Sequence, residues 1–336
     1  MYKFVKEELN KIIEDELNSV QKIAILGLAN AGKTSLVKTI LYEFEALMVL
    51  APTKGVDRSD ISFLGRQLVI WDFGGQERYR NNYLRQPQKY FRGIKYLYYI
   101  IDVQESAKIR QSMAYFLKSL EIAYQFNPNL KIYLFFHKYD TKYEDKSRLI
   151  RNEQEFIQGT LHTIQSLGIT PSIFHTSIYN PFSIISSFAQ PLLRNPNLYE
   201  TLCRTIKAFC LDNQLNFGIL FVNDFEIGNY YASPEALKKI NQSLIQIYQK
   251  IYIDGSLQGN YAKTTESLQI NTTKFDISVG SAKFSFYFTV GIDLTKSLSE
   301  RERLSEIIEI FTDKLKLILR NSEIIRLGVL RTEDIK

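Results

Sequence analysis

A lysine and a hydroxyl residue, Lys33 and Thr34, stand where a glycine-bounded turn ends and a helix-forming stretch begins. Gly27 and Gly32 bound the turn, with the spacing G-x-x-x-x-G-K-T that is typical of phosphate-binding loops. A residue without a Cβ lets the backbone approach an anion closely, lysine supplies a mobile positive charge, and a hydroxyl oxygen can bind Mg²⁺. The spacing therefore predicts contacts to the phosphates of a nucleotide from Gly27, Leu28, Ala29, Asn30, Ala31, Gly32, Lys33, Thr34 and Ser35.

Two later segments carry the residues that a nucleotide switch needs. Thr53 lies in a polar, proline-containing segment, and its hydroxyl can complete a Mg²⁺ shell while its N–H reaches a γ-phosphate. Asp72 ends an apolar run, where its carboxylate can hold Mg²⁺ through a water, and Gly75 offers an unobstructed N–H to the γ-phosphate. Gln76 has the amide group that can orient an attacking water. We therefore expect Mg²⁺ to be held by Thr34, Thr53 and Asp72, and catalysis to involve Lys33, Thr53 and Gln76.

Residues after two further strand-like runs are suited to reading the base. Lys138 can lay its aliphatic stem on a purine ring, and Asp140 can accept hydrogen bonds from the N1–H and 2-amino groups of guanine. Adenine has neither donor, so it would leave a buried carboxylate unpaired at a cost of about 1–3 kcal/mol or more. We therefore expect GTP or GDP as the ligand, with Ser177 beside the base and the Ile178 N–H donating to guanine O6. His137 belongs to the same nucleotide-binding stretch, as a polar packing or loop-bracing residue.

The pattern of apolar runs predicts how these residues are positioned. Strand-like and helical runs alternate over the first half of the chain, which predicts an α/β domain with a mostly parallel sheet and helices on both faces. The motifs all follow strands, and ligands of such sheets bind at the carboxyl ends of the strands. The predicted runs are a helix over 33–45, a hairpin of 61–64 and 67–73, strands over 94–103, 130–136 and 173–176, and helices over 105–126 and 146–167.

The second half of the chain shows a different pattern. Pro191 and Pro196 indicate a boundary, so we expect one domain over residues 21–194 and another over 198–330. The second is predicted to be α+β, with one antiparallel sheet and long helices on one face. Its predicted runs are helices over 198–211, 234–251 and 298–319, and strands over 217–223, 266–270, 274–278 and 283–292. Apolar residues at helical spacing also predict an amphipathic helix over residues 1–20, which suits packing better than binding to an anionic membrane.

Composition narrows the class of protein. The chain of 336 residues has 45% hydrophobic residues and a net charge of +6 without a basic block, which gives no support to nucleic-acid binding. Two cysteines, Cys203 and Cys210, indicate a reduced intracellular setting rather than a disulfide. The sequence has no apolar run of about 18 residues and no lipidation motif, so we expect a cytoplasmic protein whose membrane contacts, if any, are made through a partner.

The motifs together resemble those of small GTPases in the Ras superfamily, and in particular the Rag family. The guanine-reading stretch His137–Asp140 has the His-Lys-x-Asp form of Rag proteins, and Thr176–Tyr179 is similar to their Thr-Ser-Ile-Trp stretch. Gly27–Thr34 and Pro52–Gly55 read more like the Arf group. The resemblance implies a P-loop NTPase G domain followed by a roadblock-type, longin-like domain through which two such chains dimerise, as homodimer or heterodimer.

The function that the residues and the resemblance favour is a GTP-binding molecular switch with slow intrinsic hydrolysis. None of the motif side chains is an obvious arginine finger, so we expect activating and exchange proteins as partners. Two alternatives remain open at this point. One is an Arf-like trafficking GTPase with an unrelated tail, and the other is a scaffold that keeps GTP bound without hydrolysing it.

Overall fold

The computed structural model divides the chain into two compact units. One consists of residues 18–62 and 66–187, and the other is built mainly from the chain after residue 187. The structure describes residues 20–41, 43–63, 66–140, 146–192, 196–222, 225–232, 260–264, 268–279 and 282–320. The predicted helix over 234–251 lies outside these described residues, and so does the predicted helix over 1–20 apart from residue 20.

A six-stranded sheet forms the centre of the first unit. Its strands lie in the order β2-β3-β1-β4-β5-β6, and the four pairs from β3 to β6 are parallel. The strands are β1 (Gln21–Leu26), β2 (Val56–Phe63), β3 (Arg66–Phe73), β4 (Ile94–Asp102), β5 (Lys131–His137) and β6 (Ser172–Thr176). The helices are α1 (Lys33–Ile40), α2 (Glu77–Arg85), α3 (Pro87–Tyr90), α4 (Ile109–Phe126), α5 (Lys146–Ser166) and α6 (Pro181–Ala189).

The strands form because their sequences are nearly continuous apolar runs, as both-face burial requires. All six residues of β1 are buried, and alternate residues of β4 point to opposite faces yet are buried on both. One face packs on α4 and α5 through aromatic contacts of Tyr99 in β4, whose ring centroid lies 4.9 Å from that of Phe116 and 6.1 Å from that of Phe156. This packing fixes the carboxyl ends of the strands relative to one another.

Register then places the motif residues at one edge. In the parallel ladders, Asp72 of β3 is the partner of Ile25, two residues before Gly27, and Asp102 of β4 is the partner of His137. The phosphate loop, the Asp72 segment and the base-reading loop therefore leave neighbouring strands at the same end of the sheet.

The second unit is an antiparallel sheet with two described helices. Its strands lie in the order β8-β7-β11-β10-β9 and comprise β7 (Phe217–Val222), β8 (Phe225–Tyr231), β9 (Asn260–Thr264), β10 (Leu268–Val279) and β11 (Ala282–Asp293). Helix α7 (Pro196–Asp212) packs on β7 and β8, and α8 (Leu298–Arg320) packs on β10. Phe209 of α7 stacks on Phe311 of α8 with ring centroids 3.9 Å apart, and both pack on Phe288 of β11.

The fold class predicted from sequence is confirmed: a mostly parallel α/β unit is followed by an α+β unit. The domain bounds of 21–194 and 198–330 stay a prediction, although the compact units divide a few residues earlier, at residue 187.

Several observed elements differ from the predicted ones. The helix after the phosphate loop ends at Ile40, not at 45, because the Glu43 N–H bonds the Lys38 carbonyl five residues back and closes the last turn. The run over 274–278 and the described residues of the run over 266–270 belong to one strand, since β11 pairs with all twelve residues of β10. Strands β8 and β9 were not predicted, because their sequences lack a long apolar run and their pairing with β7 and β10 is non-local.

Candidate functional site

The phosphate loop has the close backbone approach that its glycines predict. Gly32, at φ 91°, precedes α1, and a Cβ there would lie 2.4 Å from Cδ2 of His137. Gly75 approaches the loop from the other side, where a Cβ would lie 2.4 Å from the Leu28 carbonyl oxygen. Both positions therefore require glycine, and the backbone of the loop is enclosed between the two neighbouring segments.

Lys33 lies inside this loop, where its ammonium group is hydrogen-bonded to a neutral carbonyl group. Its side chain is buried, and Nζ donates to the Leu28 carbonyl oxygen at 2.8 Å. Burial lowers the pKa of Lys33 from 10.5 to about 8, partly offset by the negative charge of Asp72. A phosphate anion in the loop would restore the usual preference for the charged lysine.

Three oxygen-bearing side chains from three separate segments converge next to Lys33. The Thr34 hydroxyl donates to Oδ2 of Asp72 at 2.6 Å and lies 2.8 Å from the Thr53 hydroxyl, which is itself 3.3 Å from the same Oδ2. Burial raises the pKa of Asp72, while the two threonine hydroxyls oppose that shift. The other oxygen, Oδ1, is buried and has no hydrogen-bond partner among the described residues.

This oxygen set fits a magnesium ion. Mg²⁺ prefers hydroxyl, carboxylate and water oxygens, and a buried carboxylate oxygen without a donor is costly unless a cation or a water serves it. Thr34, Thr53 and Asp72 are the residues that would hold the ion, Asp72 directly or through a water.

A shared carbonyl joins the segments that follow Thr53 and Asp72. The Gly55 carbonyl oxygen accepts a hydrogen bond from the Gly74 N–H at 2.8 Å and another from the Tyr83 hydroxyl at 2.6 Å. Tyr83 is fully buried in α2, where its ring packs edge-on against Phe73 with centroids 4.9 Å apart. The two segments are therefore mechanically connected through Gly55.

Gln76 occupies the last position before α2. Its carbonyl oxygen accepts the N–H groups of Tyr79 and Arg80, and Arg80 Nε donates to the Gly75 carbonyl oxygen at 3.0 Å. These bonds hold the Gly75–Gln76 peptide while the Gln76 side chain lines the central cavity.

The cavity has a volume of about 510 Å³, within the range of small-molecule sites. It is lined by the phosphate loop, by residues 50–53, by Gly75 and Gln76, and by Lys138. Residues predicted to contact phosphates and one residue predicted to contact the base therefore share a single cavity.

The base-reading loop is held by the chain itself. Asp140 accepts a short hydrogen bond from the Ser177 hydroxyl on Oδ1 and one from Gln104 Nε2 at 3.0 Å on Oδ2. Lys138 Nζ donates to Oδ2 of Asp102 at 2.6 Å, which orients its stem. The structure therefore brings Lys138, Asp140 and Ser177 together.

His137 and Ile178, the other two predicted residues, play different parts. The His137 ring is buried beneath Gly32, with Nδ1 2.9 Å from the Thr176 hydroxyl. Burial lowers the pKa of His137 to about 3, so the ring is neutral at physiological pH. Ile178 follows Ser177 with a side chain that is 37% exposed.

Asp102, Gln104 and Tyr83 are site residues that the sequence reasoning missed. Asp102 and Gln104 are polar residues at the end of the apolar run of β4, and the same kind of position identified Asp72 at the end of β3. Tyr83 gave no local signal, because its partner carbonyl lies 28 residues away.

Comparison with known proteins identifies relatives of the chain. Residues 22–252 match the family described as the Gtr1/RagA G protein conserved region, a match that continues past residue 187 into the second unit. The chain is 30% identical over 238 residues to Ras-related GTP-binding protein A of Dictyostelium discoideum, covering 69% of this chain and 74% of that protein. It is 28% identical over 187 residues to GTP-binding protein GTR1 of Saccharomyces cerevisiae, covering 53% of this chain and 60% of the yeast protein.

The chain also matches an Arf-like protein, over a shorter stretch than its Rag-named relatives. ADP-ribosylation factor-like protein 3 of Chlamydomonas reinhardtii is 35% identical over 91 residues, covering 27% of this chain and 48% of that protein. The match to this Arf-like protein covers about a quarter of the chain, whereas the Gtr1/RagA match covers more than half of it.

Proposed function

Because the chain belongs to the Gtr1/RagA G protein family, we propose that it is a GTPase that works as a GTP-binding molecular switch and hydrolyses GTP slowly on its own. The observation that carries the proposal is one cavity lined by Lys33, Thr34, Thr53 and Lys138, in which the Thr34 hydroxyl also donates to the Asp72 carboxylate. The relatives' names describe GTP-binding proteins, which supports the ligand.

The chain's own residues supply positioning and charge. Lys33 and the loop N–H groups bind the β- and γ-phosphates, Gly75 donates its N–H to the γ-phosphate, and Gln76 orients the attacking water. Thr34, Thr53 and Asp72 would hold Mg²⁺, which would supply positive charge against the negative charge on the phosphate oxygens during the attack of water. Loss of the γ-phosphate removes the contacts of Thr53 and Gly75, and the Gly55 carbonyl transmits that change between the two segments.

Hydrolysis by the purified chain tests this proposal. We expect slow single-turnover cleavage of GTP, and we expect Gln76→Leu to depress the rate by at least about tenfold while GTP affinity stays unchanged. Gln88→Leu, in the exposed part of α3, is the matched control. Equal rates in Gln76→Leu and wild type would remove Gln76 from the mechanism, and no cleavage in wild type would favour the non-hydrolysing scaffold.

The second unit is proposed to dimerise through residues 198–330 as a roadblock-type, longin-like module. Continuation of the family match to residue 252 supports a role shared with the family, and β8 and β9 form the edges of the described sheet, where a second chain could add. The mass in solution of the purified chain, measured alone and after mixing with related chains, shows whether the partner is a second copy or a related chain. A monomer that stays monomeric with every related chain would contradict the proposal.

Activating and exchange proteins are proposed partners, because slow hydrolysis needs an activator and a site that encloses its nucleotide needs help to release it. No helix among the described residues is long and apolar enough to cross a membrane. A cytoplasmic location, with membrane contacts made through a partner, remains the proposal.

A further inference from the structure

Gln104, two residues after the end of β4, makes two hydrogen bonds to the base-reading loop. Its Nε2 donates to the Lys138 carbonyl oxygen at 2.8 Å and to Oδ2 of Asp140 at 3.0 Å. Both partners are pure acceptors, so only the amide nitrogen can serve them and the orientation of the carboxamide is fixed. The side chain therefore uses both of its N–H groups on the loop that is proposed to read guanine.

The loop needs such a support because its backbone is unusual. Lys138 has φ 60°, in the left-handed region that a residue with a Cβ rarely adopts. The Asp140 N–H folds back onto the Lys138 carbonyl oxygen at 2.8 Å, the same oxygen that Gln104 holds. Gln104 thus ties together the two ends of a tight turn.

Gln104 is itself anchored. Its backbone N–H donates to Oδ1 of Asp102 at 3.0 Å, and the other oxygen of Asp102 accepts Lys138 Nζ. The preceding residue, Val103, is bonded on both sides, by its N–H to the His137 carbonyl oxygen and by its carbonyl oxygen to Asn152 Nδ2 at 2.7 Å. Because the backbone is held, the Gln104 carboxamide has a defined position relative to Lys138 and Asp140.

Both oxygens of Asp140 are held, yet each keeps capacity for the base. Ser177 holds Oδ1 and Gln104 holds Oδ2, which is one donor on each oxygen among the described residues. A carboxylate oxygen accepts about two hydrogen bonds, so one position on each oxygen is left for the N1–H and the 2-amino group of guanine. A carboxylate fixed at both oxygens presents these positions in one plane.

We propose that Gln104 is a positioning residue for guanine, which fixes the Asp140 carboxylate and the Lys138 peptide so that guanine is distinguished from bases with fewer donors. The inference rests on the proposed nucleotide-binding function. A residue that only stabilised the fold would affect the affinity for every nucleotide equally, whereas the contribution of Gln104 to affinity should depend on which base is bound.

Affinities of wild type and Gln104→Leu for GDP, IDP and ADP test the inference. Hypoxanthine in IDP keeps N1–H but lacks the 2-amino group, and adenine lacks both donors. We expect Gln104→Leu to weaken GDP binding about tenfold, IDP binding less, and ADP binding hardly at all, because charge-assisted hydrogen bonds depend strongly on geometry. Gln111→Leu, exposed in α4, is the matched control.

A second variant covers the case in which leucine perturbs folding. Glutamate has nearly the same shape as glutamine, but its carboxylate cannot donate a hydrogen bond and adds a negative charge beside Asp140. Gln104→Glu should therefore lose more GDP affinity than Gln104→Leu. A thermal unfolding transition shows that the variant is folded. Wild-type affinity in Gln104→Glu would overturn the inference.

Three further results are decisive. If Gln104→Leu binds GDP more tightly, Gln104 competes with the base and the inference is wrong. If GDP, IDP and ADP weaken by the same factor, Gln104 supports only the fold of the loop. If wild type itself binds GDP no better than ADP, the proposed guanine specificity fails first, and that failure is visible without any variant.

Discussion

The chain supports two aspartates differently. Asp72 lies against Thr34 of the phosphate loop, the phosphate end of the site, and Asp140 lies in the base-reading loop, the base end. Asp72 is buried, both threonine contacts go to one oxygen, and the other oxygen has no partner among the described residues. Asp140 has a side-chain donor on each oxygen. We therefore expect charge from outside the chain to complete the phosphate end, whereas the chain itself already holds the carboxylate at the base end.

The shifted pKa values at the phosphate end support this contrast. Burial lowers the pKa of Lys33 and raises the pKa of Asp72, so both charged forms are disfavoured without ligand. A bound nucleotide and cation would reverse both shifts, and such a ligand stabilises the folded protein by its binding free energy. The base end depends instead on geometry.

Asp140→Asn breaks the base end while leaving the phosphate end intact. We expect GDP affinity to fall about 100-fold, because the asparagine amide offers N–H groups to the donors of guanine. Xanthine carries a carbonyl where guanine has its 2-amino group, so affinity for XDP should rise in the same variant. Isothermal titration with both nucleotides measures the exchange, and unchanged GDP affinity would show that Asp140 does not read the base.

His137 connects the two ends and offers a smaller, pH-dependent effect. The folded protein holds its ring neutral down to about pH 3, whereas an unfolded chain protonates it near 6.5. Stability from this group is therefore complete above pH 6.5 and is lost as the pH falls towards 3. Between pH 7 and pH 5 the free energy of unfolding should fall by about 2 kcal/mol, one proton being bound only on unfolding.

Urea denaturation at the two pH values measures this loss. The decrease in the free energy of unfolding from pH 7 to pH 5 should be smaller in His137→Gln. It should be unchanged in the control His162→Gln, at an exposed position in α5. A loss of equal size in wild type and His137→Gln would assign the pH dependence to other groups.

The features that sequence predicted well are those with a local cause. The phosphate loop requires glycine at Gly27 and Gly32 because of the backbone there, and the spacing alone reveals it. The apolar run over 94–103 predicted the buried strand β4, since burial on both faces leaves no polar alternation.

What sequence did not predict depends on register between distant strands. Asp102 reaches Lys138 only because β4 and β5 pair Asp102 with His137, and Gln104 reaches Asp140 for the same reason. The Tyr83–Gly55 bond likewise joins residues that no local pattern connects. In the second unit, β8 and β9 are defined by backbone pairing rather than by their own residues.

The rate of GDP release with and without Mg²⁺ tests most directly whether the phosphate end is completed from outside the chain. Chelating Mg²⁺ with EDTA should accelerate release from wild type by at least about tenfold, because Thr34, Thr53 and Asp72 then lose the cation that joins them to the phosphates. Asp72→Asn should release GDP quickly in both conditions, and Gln104→Leu should keep the full response to EDTA. A wild-type rate that is the same with Mg²⁺ and with EDTA would contradict the account.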